Sequence, residues 1–208
     1  MSLGHHHRSG PPPSATAPMR EQGAALVEFA MIAMFLLFIL GSAFDYGMTW
    51  RVTLVANEAA RAGARTGSSL DQQPLADWYA LTNARASLSS GNQLQNVQRV
   101  VIYKSTDVAG TVPPECATAS STTLDCNVLS GAQFRAIAQA DFNATTGCIN
   151  TAKAIAANWC PNERNNVQLT ADYYGFWVQT RYNNQFKVAG AGMNVNRDAV
   201  MRLEPDVS

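Results

Sequence analysis

Histidine is missing beyond residue 7. The three present are His5, His6 and His7, so nothing further along offers an imidazole for acid–base work near neutral pH. The Gly-x-Ser-x-Gly elbow, the phosphate-cradling Walker loop and the dinucleotide fingerprint are also lacking. Charge is scarce and balanced: 15 basic residues face 15 acidic ones, which excludes a basic surface for nucleic acid. The carboxylates Asp141, Glu163 and Asp172 are scattered and read as solvated surface. An enzyme is not expected, and no cofactor or metal is called for. The four cysteines have nine and eleven residues between neighbours in each pair, unlike the two-to-four-residue spacing of a structural zinc site.

What is present is a long apolar run. Arg20-Glu21-Gln22-Gly23 gives way to Ala24–Phe44, a stretch of 21 residues whose only charge is Glu28. As helix it measures about 31 Å at roughly 1.5 Å per residue, matching a hydrocarbon core of about 30 Å. Eleven of its residues are Leu, Ile, Val or Phe. At roughly 0.3–0.6 kcal/mol each they favour insertion by about 3–7 kcal/mol. A charge at the bilayer centre costs about 2.5–3.5 kcal/mol on that scale, and less near an end, so insertion wins with Glu28 in place. The carboxylate still needs a partner, or must snorkel to the headgroups.

The run Gln22-Gly23-Ala24-Ala25-Leu26-Val27-Glu28-Phe29-Ala30 resembles the type IVb prepilin processing site, and in fuller extent the TadE-like minor pseudopilins of the tight-adherence (Flp) pilus system. Later segments are similar too: Asn57–Arg65 after the span and Val200–Pro205 near the end. The resemblance implies a prepilin peptidase that cuts between Gly23 and Ala24 on the cytoplasmic side. Glycine before the cut leaves room for a protease to approach the backbone. The new amino terminus at Ala24 would lie one helical turn from Glu28. A freed α-amino group has a pKa of roughly 8, and a neighbouring subunit's Glu28 could neutralise it within lipid. The implied partners are the peptidase, other pilins or pseudopilins, the pilus assembly platform and membrane lipid.

Two rival readings use the same segment. Gly41-Ser42-Ala43 before Phe44 is a small-x-small triplet such as a signal peptidase would use, although the apolar run exceeds the usual 7–15 residues and holds a carboxylate. Alternatively the span is an uncleaved anchor for an extracytoplasmic binding or sensory domain. Orientation is not settled by the basic residues, since Arg8 and Arg20 precede the span while Arg51, Arg61 and Arg65 follow it. The short head and the cysteines place the amino terminus in the cytoplasm and the large domain outside, where disulfides persist. A location in the inner (cytoplasmic) membrane is expected, with possible incorporation in a surface pilus. Residues 1–23, with His5-His6-His7 and Pro11-Pro12-Pro13, read as a disordered leader.

The expected fold is α+β: a long amino-terminal transmembrane helix, then a small antiparallel-sheet ectodomain with disulfides. The segments are leader 1–23, span 24–44, helical extension 45–66 and domain 67–208. The extension has no proline and ends in the helix-forming run Ala56–Ala64, with Gly67-Ser68-Ser69 expected to break it. Val52, Val55, Ala59 and Ala62 or Gly63 form a stripe, and Ala59, Gly63 and Gly67 a row of small residues. That row would serve either close packing between subunits or packing on the protein's own sheet. A second helix is expected over Pro74–Leu88, a strand over Val97–Tyr103, a loop over Gly110–Leu124 and a short helix over Phe134–Ala140. Val167–Tyr173 and Phe176–Tyr182 are expected as strands interrupted near Gly175, and Asn194–Leu203 as the last strand. The aromatics around Trp177 read as core rather than a ligand surface. Asn143-Ala144-Thr145 matches a short glycosylation sequon. Four cysteines allow three connectivities. The local pairs Cys116–Cys126 and Cys148–Cys160 are favoured because both lie in loop-rich stretches.

Overall fold

In a computed structural model, residues 19–119, 123–150, 155–187 and 190–204 are described. The histidine run, most of the leader and Pro205 fall outside them. The chain divides into two compact units, Met1–Gly41 and Ser42–Ser208. Helix α1 spans Met19–Leu70. It is followed by α2 (Ala76–Ser90), β1 (Val97–Ser105), α3 (Pro114–Thr118), β2 (Cys126–Ser130) and α4 (Gly131–Ala136). The chain then forms β3 (Ala156–Ala157), β4 (Tyr173–Asn183) and β5 (Gly192–Arg202).

The five strands make one sheet in the order β3-β2-β1-β4-β5, with every pairing antiparallel. Alternation along the strands sends successive side chains to opposite faces. Val100 and Ile102 of β1, with Tyr174, Phe176 and Val178 of β4, meet Ala59, Ala60 and Ala64 of α1 and Ala80, Leu81, Ala84 and Leu88 of α2. Val101, Tyr103, Val128 and Trp177 face the other way, where Cys116 of α3 joins Cys126 of β2. The architecture is α+β. A second disulfide links Cys148 and Cys160 across the connection from α4 to β4.

The row of small residues on α1 packs on the protein's own sheet. A Cβ at Gly63 would come within 2.8 Å of three Phe176 ring carbons, and one at Gly67 within 2.5 Å of three Tyr174 atoms. Only bare backbone lets two bulky rings of β4 seat this closely. The stripe toward the core is Val52, Ala56, Ala59, Ala60, Gly63 and Ala64, with Val55 half-buried and Ala62 outside it.

Several expected boundaries move. Helix α1 does not break at Gly67-Ser68-Ser69. The hydroxyls of Ser68 and Ser69 donate to the carbonyls of Arg65 and Thr66, bonds made within the helix, and the chain turns only at Asp71, whose φ is 51°. The second helix starts at Ala76 rather than Pro74. Residues 167–172 form a turn instead of a strand: Thr170 N–H donates to the Val167 carbonyl, and the Asn165 side chain donates to the Thr170 carbonyl. Strand β4 runs without interruption through Gly175, because the Tyr103 ring of the neighbouring strand lies over the glycine and supplies the contact its side chain lacks. The expected loop over Gly110–Leu124 contains α3. The short helix begins at Gly131, earlier than Phe134, because Ser130 and Gln133 form a capping box, and a separate 3-10 turn follows at Gln139–Asp141.

Candidate functional site

Gly23, Ala24, Glu28 and Phe29 all lie on α1. Ala24 and Glu28 are four positions apart, so the two share a helix face one turn apart. Glu28 is exposed, and among the described residues no ion pair reaches it. A Cβ at Gly23 would meet nothing within 4 Å. The large apolar side chains from Leu26 to Leu40 are 45–75% exposed around the whole helix circumference. A helix apolar on every side needs either a core or lipid around it. The candidate span belongs to the helical stretch from Gly23 to Leu70, with a window of mean hydropathy 2.4 that none of the described residues covers. One amino-terminal apolar helix followed by a carboxy-terminal domain fits a single-pass membrane protein.

The polar centre of the carboxy-terminal domain is a structural node. Arg164 and Asp77 are both fully buried, and their Nη2–Oδ1 contact is 2.5 Å. Tyr174 Oη donates to Asp77 Oδ1 at 3.0 Å, and Asn127 Nδ2 donates to Asp77 Oδ2 at 3.1 Å. The guanidinium also donates to the Asp71 carbonyl and lies over the Trp159 and Tyr174 rings, 4.6 and 4.9 Å from their centroids. Burial, followed by the Asp77 charge, pushes the Tyr174 hydroxyl well above the usual tyrosine range, with Arg164 opposing. With no exposed atoms at the ion pair, this cluster ties α2, β2, β4 and the 159–164 segment together and has no approach for a substrate. Sequence reasoning missed it. Asp77 lay within an apolar helix pattern and Arg164 within a loop, 87 positions apart.

Asp45, directly after the apolar run, is also buried. Its carboxylate accepts from Gln185 N–H at 2.9 Å, Phe186 N–H at 3.2 Å and Tyr182 Oη at 3.3 Å. Trp177 is core, 4% exposed. An open cleft of about 640 Å³ is lined by Lys104, Asp125, Asp172 and Arg202 among others. Three of these four charges are already engaged: Lys104 pairs with Asp172 at 2.9 Å, and Arg202 donates to the Gln168 carbonyl. The cleft is therefore a poor ligand site.

Helix and domain together define a class: an apolar amino-terminal helix long enough to cross a membrane, followed by an α+β domain with two disulfides. Within it, residues 23–65 match the family model described as TadE-like protein, and over that segment the chain is similar to that family. The match begins at Gly23 and ends at Arg65. No curated protein and no solved structure matches the chain.

Proposed function

We propose that the protein is a minor pseudopilin of a tight-adherence pilus or related secretion apparatus, cut by a prepilin peptidase after Gly23. Its role is structural rather than catalytic. The amino terminus faces the cytoplasm, and the disulfide-bonded domain lies on the opposite, oxidising side. Its partners are the peptidase, other pilins or pseudopilins and the assembly platform. The observation that carries this reading is the TadE-like match opening at Gly23, on a helix whose apolar surface is left bare. Among the described residues glycine there has no steric reason, since a side chain would meet nothing within 4 Å. A requirement for glycine would therefore come from another molecule that approaches the backbone, as a protease does.

The test is the mass of the mature amino terminus in cells that contain the peptidase, for the parent chain and for Gly23→Val. The parent should begin at Ala24. The variant should keep its leader and fold unchanged while pilus formation is lost. A parent chain intact from Met1 would sink the reading and leave an uncleaved anchor carrying a binding or sensory domain. A start at Phe44 would mark a secreted protein instead.

A further inference from the structure

We infer that one end of the carboxy-terminal domain, formed by Phe44, Tyr46 and Trp50 of α1 and by Phe186 and Lys187 after β4, is a lipid-headgroup-binding surface seated in the membrane interface. This rests on the reading of Ala24–Phe44 as a membrane span. Among the described residues of this domain, the large exposed aromatics are Phe44, Tyr46, Trp50, Tyr79 and Phe186, at 50, 72, 58, 46 and 59%. Four of the five gather at this one end, so chance surface scatter does not explain them. Aromatic rings concentrate where hydrocarbon meets water, because they pair an apolar body with a polarisable or polar edge.

The geometry holds them there. Phe186 packs edge-on against Phe44, with ring centroids 5.6 Å apart and planes 82° apart. Asp45 fixes the Phe186 backbone through the two amides it accepts, and Asn184 closes the hairpin by donating to the Gly190 carbonyl. Helical side chains lean toward the amino terminus, so the rings of Tyr46 and Trp50 lean toward the Phe44 end of this unit. Trp50 lies six residues past Phe44, about 9 Å along the axis, comparable to the thickness of a headgroup layer.

Charge agrees with an anionic lipid as the occupant. Arg51 and Lys187 are exposed cations at this end, while its carboxylate, Asp45, is buried and turned toward the domain. Strand β4 carries the chain about 33 Å to the opposite end of the sheet, at about 3.3 Å per residue. There Asp107, Asp125 and Glu204 are exposed beside Arg202, and the Lys104 cation is matched by Asp172. Anionic headgroups therefore attract the aromatic end and repel the other.

The experiment uses the full chain reconstituted in phosphatidylcholine–phosphatidylglycerol vesicles whose acyl chains carry bromine near the headgroups. In a Trp50→Phe background, Phe186→Trp is compared with Leu169→Trp, a fully accessible position before the start of β4. Bromine should quench the emission added by Phe186→Trp at least about fivefold more than that added by Leu169→Trp. The emission lost on Trp50→Phe in the otherwise unaltered chain should likewise be the quenchable part, which needs no change at Phe186. Equal quenching at both positions overturns the inference. So does blue-shifted but unquenched emission from Phe186→Trp, which would mean that protein covers the patch. A parent chain that fails to float with the vesicles overturns the membrane span itself, a result distinct from either.

Discussion

At Asp77 a single carboxylate serves an arginine, a tyrosine and an asparagine at once. Removing it leaves the Arg164 guanidinium buried without a counter-charge, a situation that costs about 3–5 kcal/mol. Asp77→Ala in the detergent-solubilised full chain should lower stability by about that amount in a urea titration followed by tryptophan emission. Trp159 under the guanidinium makes the readout local. A loss below about 1 kcal/mol would mean that the charge pair is solvated in solution. Nothing in the sequence announces this node, because the pairing is created by the fold. The proposed processing motif of Gly23, Ala24, Glu28 and Phe29 is read the opposite way, from contiguous order alone, and its reading draws on no tertiary information.

At the scale of elements, the small residues of α1 test how closely the helix sits on the sheet. Alanine is the better helix former by about 1 kcal/mol, so propensity alone predicts a gain wherever glycine is replaced. Gly47 has open space around its would-be Cβ, and Gly47→Ala should raise stability by about 0.5–1 kcal/mol. Gly67→Ala should do the reverse, losing about 1–3 kcal/mol by forcing the Tyr174 ring aside. Melting temperatures of the two variants should therefore move in opposite directions. The same physics separates what could be read from what could not. Strands β1 and β5 have β-branched and apolar residues in sequence and were legible near their observed limits. Strand β3 has two residues and β2 has five with a polar Asn127 in second place, too short for periodicity to register. Gly175 reads as a strand breaker until the ring that covers it is known. The turn at 167–172 looks like a strand until the side chain of Asn165 takes up its backbone groups.

For the whole molecule, the unsolved charge is Glu28. An exposed carboxylate on an apolar helix, with no described partner in its own chain, is satisfied most simply by the free amine of Ala24 in a neighbouring subunit. Glu28→Gln keeps the size and removes the charge. Peptidase cleavage should proceed normally, while recovery of the subunit with other pilins should fall about tenfold, the effect of roughly 1.4 kcal/mol per contact. Co-purification after crosslinking, with the amino-terminal mass measured in parallel, reads both. Unchanged recovery would mean that the acid reaches the headgroups instead. Gly23→Val and Glu28→Gln, five positions apart, would thus test cleavage and assembly separately.

The seating of Gly63 and Gly67 beneath Phe176 and Tyr174 has one further consequence. The slimmest side of the rod is spent inside its own subunit, so a neighbour approaching beyond the lipid meets Leu54, Glu58, Arg61 and Arg65, a ridge bearing both signs of charge. In the proposed assembly, the charged contacts along this ridge would loosen as salt rises, whereas contacts along the apolar run would not.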